Sequence, residues 1–108
     1  MTHKINIKPL SINSAYQGRR FRTPKYDNFI KTVLNLLPKT LDFPNPKNIK
    51  LAIEFGYSSK LSDCDNGLKP FIDCLVKKYK VDDRYIYEIH VFKNVVNKGD
   101  EYIKFKVY

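Results

Sequence analysis

Ser62-Asp63-Cys64-Asp65-Asn66-Gly67-Leu68-Lys69-Pro70-Phe71-Ile72-Asp73-Cys74-Leu75 carries the signals on which a reading of this chain turns. Leu68, Phe71, Ile72 and Leu75 fall at i, i+3, i+4 and i+7, the spacing of one buried helical stripe. Asn66 or Asp65 is suited to cap that helix, and Pro70 falls near its first turn, where a missing N–H costs least. Upstream, alternate side chains of an extended segment share a face, so Asp63 and Asp65 point one way and Cys64 the other. Asp65, Lys69 and Asp73 follow at intervals of four and line up along the helix, which sets Lys69 beside the carboxylates.

The formal net charge is +9, yet five of the eleven acidic residues lie in this run and in Asp82-Asp83. Carboxylates held together repel unless a cation neutralises them. An all-oxygen set with no histidine nearby suits Mg2+ rather than zinc. Taken singly, Asp63 or Asp65 reads better as an Asx-turn or a helix cap, the commonest use of such residues. The whole set with Lys69 favours a metal site. Cys64 has no accompanying histidine base and is not read as a nucleophile.

Asp-x-Asp-Asn-x-x-Lys-Pro-x-x-Asp-x-Leu followed by Asp-Asp resembles the core signature of the RusA-type Holliday junction resolvases. Carried over residue by residue, the resemblance makes Asp63, Asp65 and Asp83 the Mg2+ ligands and Lys69 the essential lysine. Pro9-x-Ser11-x-Asn13-x-x-Tyr16 is similar to the family's N-terminal motif, and Lys93 matches a recurring basic position. Some members carry arginines directly before the first aspartate; here Lys60-Leu61-Ser62 stand in that place.

At 108 residues the chain is one domain, residues 1–108, able to bury roughly two-thirds of its unfolded surface. No apolar run is long enough for a membrane span, and the N-terminus opens on strand-like alternation rather than a signal peptide. Two cysteines do not make a disulfide framework and read as reduced, in a cytoplasmic setting. Twenty Lys and Arg point to a polyanionic partner.

In chain order, Lys4–Lys8 alternates as a short strand ending at Pro9. Ser11 to Arg22 reads as a polar loop in which Arg19, Arg20 and Arg22, interleaved with Tyr16 and Phe21, suit phosphates and an unpaired base. Thr23 caps a helix with Pro24 first and Tyr26, Phe29, Ile30, Val33, Leu34 and Leu37 inward, and Pro38 stops it. Ile49, Leu51, Ile53 and Phe55 mark the clearest strand. The motif helix ends in Lys77, Lys78 and Lys80, where cations favour a helix C-terminus. Asp82-Asp83 opens a strand, Tyr85 to Val95, and a turn at Asn97–Asp100 returns it as a terminal hairpin with Tyr102 to Tyr108. The expected fold is α/β (α+β), RusA-like: a mixed sheet of about four strands with two helices, in the order β-α-β-α-β-β.

The function expected is a Mg2+-dependent endodeoxyribonuclease that resolves four-way DNA junctions by paired nicks, with Mn2+ able to substitute and no nucleotide cofactor. Catalysis falls to Asp63, Asp65, Lys69 and Asp83, with Asp73, Asp82 and Asn66 in support. Lys60, Lys77, Lys78 and Lys93 join the arginines as DNA contacts. Paired nicks imply a homodimer, with Ile5, Ile7 and Leu10, or the Tyr85–Val95 strand with Phe92, as its interface. A nuclease of flaps or forks, or a junction-binding protein without catalysis, are the alternatives.

Overall fold

The computed structural model describes residues 2–11, 16–17 and 21–108, with residues 16–17 and 21–22 described by backbone alone. Strand β1 (Thr2–Ile5) is followed by a two-stranded ribbon, β2 (Tyr16–Gln17) and β3 (Phe21–Arg22). Helix α1 (Pro24–Leu36), strand β4 (Ile49–Tyr57), helix α2 (Leu68–Tyr79), a 3-10 turn (Asp83–Tyr85) and strands β5 (Ile86–Val95) and β6 (Tyr102–Val107) complete the chain. The main sheet runs β1-β6-β4-β5; β4 pairs parallel with β5 and antiparallel with β6, and β1 is antiparallel to β6. The ribbon apart, this is the expected β-α-β-α-β-β order around a mixed four-stranded sheet.

The core follows from two periodicities. Ile49, Leu51, Ile53, Phe55 and Tyr57 alternate along β4 and are all buried. Both helices lay their apolar stripes into the same core: Tyr26, Phe29, Ile30 and Val33 from α1, and Phe71, Cys74 and Leu75 from α2. The Phe71 ring meets Phe105 edge-on at 5.2 Å and Phe55 at 6.4 Å, which ties α2 to β6 and β4. Thr23 caps α1, its hydroxyl accepting from the Tyr26 N–H at 3.2 Å, and Pro24 takes the first helical position. Leu37 is extended, as the residue before a proline prefers, and the helix ends there.

Four expectations are corrected. The terminal hairpin does not form: β4 lies between β5 and β6. After Val95 the chain passes over the end of β4, where the Val96 N–H donates to the Tyr57 carbonyl at 2.8 Å, and re-enters on the far side. Tyr102, Ile103, Phe105 and Val107 are buried, whereas β5 is exposed along most of its length, so β6 takes the covered place and β5 the edge. Gly56 lets the Tyr102 ring lie against β4, because a Cβ there would lie 2.5 Å from that ring.

The first strand is Thr2–Ile5 rather than Lys4–Lys8. Ile5 faces Ile103 near the start of β6, so residues beyond it have no strand to pair with, and the Ile7 N–H bends back to the Ile5 carbonyl. The stretch read as a polar loop contains the β2–β3 ribbon, while Arg19, Arg20 and Asn13 lie outside the described residues. Finally, Ile5 and Leu10 are core residues and cannot form a dimer face. Phe92, 54% exposed on β5, remains available.

Candidate active site

β4 ends in Tyr57, an inward aromatic whose hydroxyl the apolar core cannot satisfy and which finds its partners in the acidic loop. The phenol donates to the Cys64 carbonyl at 3.3 Å and accepts from the Gly67 N–H at 2.9 Å, so one side chain clasps both ends of the Cys64–Gly67 turn. Turn bonds from Asn66 N–H to the Asp63 carbonyl (3.1 Å) and from Leu68 N–H to the Asp65 carbonyl (3.0 Å) fix the backbone between the two aspartates. Burial pushes the Tyr57 hydroxyl up to about 12; the Gly67 N–H opposes this, and the Asp65 and Asp63 carboxylates add to it. Both aspartates are exposed.

The loop is also tied to the sheet edge. The Lys93 ammonium donates to the Lys60 carbonyl at 2.8 Å and to the Ser62 carbonyl, and the Cys64 thiol reaches the Val91 carbonyl at 3.4 Å. Lys93, expected on DNA, is therefore a tether of the acidic loop. Cys64 is turned to β5, and neither cysteine forms a disulfide. Burial pushes the Cys74 thiol up to about 12, which leaves it inert inside the core.

Gly67 is the N-cap of α2 and makes no side-chain bond, so neither Asp65 nor Asn66 serves as the expected cap. A Cβ at Gly67 would lie 3.1 Å from Phe55 and 3.2 Å from Pro9, so the N-terminal segment packs directly on the start of α2. Within α2, the Lys69 ammonium donates to Asp73 Oδ1 at 2.9 Å. The other oxygen of Asp73 accepts from the hydroxyl of Tyr26, which is fully buried in α1. Asp73 thus links Lys69 to the Tyr26 hydroxyl of α1.

The second acidic pair is elsewhere. α2 is 12 residues long, about 18 Å of helix, and ends on Lys80 in the left-handed conformation with φ 55°. Asp82 caps the 3-10 turn: it accepts from Arg84 N–H and Nε, both at 2.9 Å, and these bonds hold its carboxyl below its ordinary range. Asp83 is exposed just beyond, in the run-up to β5, whose Ile86 pairs with Ile49 at the opposite end of β4 from Tyr57. Among the described residues no three His, Cys, Asp or Glu side chains converge as a metal-binding group. One chain therefore does not bring Asp83 to Asp63 and Asp65.

Exposed carboxylates such as those of Asp63 and Asp65 are the donor type that Mg2+ takes, commonly one or two of them with waters and a substrate phosphate completing its shell. Of the expected DNA contacts, Lys60 and Lys77 are exposed, whereas the Lys78 ammonium donates to the Leu34 carbonyl at 2.7 Å and secures the end of α1. Tyr57 and Tyr26 escaped the reading of the sequence. Each sits at a core position of its element, and only the hydroxyl marked it as more. No helix of the described residues is long and apolar enough to cross a membrane. No family model matches the chain, and no curated protein matches it.

Proposed function

We propose that this protein is a structure-specific endodeoxyribonuclease that resolves four-way DNA junctions in the cytoplasm. The observation that carries the reading is a lysine held at the head of α2 directly after two exposed aspartates: Lys69 on Asp73, Asp73 on Tyr26, and Asp63 and Asp65 on a turn clasped by Tyr57. The motif resemblance supplies the substrate, and the net charge of +9 agrees with a polyanion.

Asp63 and Asp65 would hold Mg2+, or Mn2+ in its place. The ion would supply Lewis acidity and a water of lowered pKa at the scissile phosphate. Lys69 would place its ammonium on a non-bridging phosphate oxygen and stabilise the charge that develops there. Asp73, one turn along α2, pairs with that ammonium at 2.9 Å and narrows the directions it takes in solvent. Paired nicks need two sites related by the junction's two-fold axis, hence a homodimer. Asp83, a ligand by resemblance, would then reach the ion from the second copy. No nucleotide cofactor enters the reaction.

Incubation with a synthetic four-way junction, a flap, a fork and a linear duplex, each with Mg2+ and with EDTA, tests the reading. Junction-selective, Mg2+-dependent paired nicks are expected. Preferential cutting of the flap or fork would move the substrate class, and tight junction binding without any cut would make the protein a binding module.

A further inference from the structure

We infer that the cavity of about 540 Å3 beside the acidic loop is a pocket for one unpaired nucleotide of a DNA strand. This rests on the reading of the protein as acting on DNA. The cavity is walled by Ile7 to Ser11, the Lys25–Thr32 side of α1 and the chain around the acidic turn from Tyr57 to Asn66, segments that the sequence keeps apart, together with Glu101 ahead of β6. Pro9, one of the lining residues, also packs against Gly67. Pro9 and Ser11 belong to the N-terminal motif, for which the acidic site offered no task.

The cavity matches a nucleotide in size and in the polarity of its lining. The volume falls within the range of pockets that enclose a small ligand. Phe29, Tyr57 and Pro9 give the cavity apolar and aromatic walls suited to the face of a base. Asn28 and Asn66 each carry an amide with both donors and acceptors, which a base edge requires. Lys25 and Lys8 bring cations for the attached phosphate, and Glu101, set near Lys8 and bonded to the Gly99 N–H, is the one opposing charge among the described lining residues. Ser62 and Asn66 flank Asp63 and Asp65 directly in sequence. A nucleotide seated here would hold its strand across the carboxylate turn.

Thymidine 5′-monophosphate, deoxyribose 5-phosphate and inorganic phosphate, each titrated into the 15N-labelled full-length protein, test this without any cleavage. The nucleotide should shift the amide signals of Asn28, Ser58, Ser59 and Asn66 saturably. The base-free sugar phosphate should bind at least about fivefold more weakly, the low end of what one stacked base contributes. Asn28→Trp, a substitution at an exposed helix position that fills the cavity, should remove the shifts while thermal unfolding shows the fold intact; Lys25→Gln should weaken them. Shifts confined to other residues, equal binding of sugar phosphate and nucleotide, or unchanged binding by a folded Asn28→Trp protein overturn the pocket. Nucleotide binding by a protein that never cuts DNA would leave the pocket and remove the nuclease reading. Junction cutting with no nucleotide binding would do the reverse.

Discussion

The Tyr26 hydroxyl of α1 donates to the Asp73 carboxylate of α2, and this buried-to-exposed link determines where Lys69 points. Tyr26→Phe deletes the donor and leaves the ring. The fold should lose about 1.5–3 kcal/mol, as for hydrogen bonds to charged groups, read by urea unfolding. Junction cutting should fall through kcat with little change in KM, since Lys69 would act on developing charge. An equal loss in Lys69→Ala and in the double variant would show that the tyrosine acts through the lysine. Additive rate losses would separate them.

Asp83 gives a test of how two copies combine. Asp65→Asn and Asp83→Asn proteins should each be inert alone. Mixed and allowed to exchange, they form a dimer in which one site has Asp63 and Asp65 from one chain and Asp83 from the other. Singly nicked junctions should then accumulate on a denaturing gel. A mixture as inert as its components rules out that sharing.

Lys77 and Lys78 are neighbours in sequence with different tasks. Lys77→Gln should reduce the salt slope of DNA binding by about 0.9 if it neutralises one phosphate, with unfolding unchanged. Lys78→Gln should leave the slope alone and lower stability, because the Leu34 carbonyl loses its donor. The pair of titrations in NaCl distinguishes them.

Tyr57 makes the acidic turn sensitive to alkali. Its hydroxyl ionises near 12 in the folded protein against 10.0 ordinarily. In the window between those values the unfolded chain has lost the proton that the native state keeps, so stability falls as pH rises. Below that window the contribution is complete. Tyr57→Phe should therefore be less stable at neutral pH, where it lacks the Cys64 and Gly67 bonds, yet show a shallower loss of stability between pH 10 and 12. An unchanged slope would show that another group, Cys74 first, governs the alkaline limb.

Much of the architecture follows from local chemistry. The β4 alternation, the α1 stripe with Thr23 and Pro24 at its head, and the Leu68–Leu75 stripe each specify an element through a short-range period that tertiary contacts reinforce. Lys69 over Asp73 is legible for the same reason, since i and i+4 on a helix are neighbours whatever surrounds them. Strand order is a different matter. The Asn97–Asp100 turn reads as a hairpin, but β6 carries the more fully buried side chains and goes to the covered side of β4, a competition that no window of sequence contains. Tyr57 and Tyr26 owe their roles to partners 7 to 47 residues away, and Lys93 and Lys78 are tied to carbonyls 31 to 44 residues distant. Asp83 shows the limit most clearly. Its motif sets it with Asp63 and Asp65, but twelve helical residues carry it to the other end of α2, because a helix converts sequence separation into length rather than proximity.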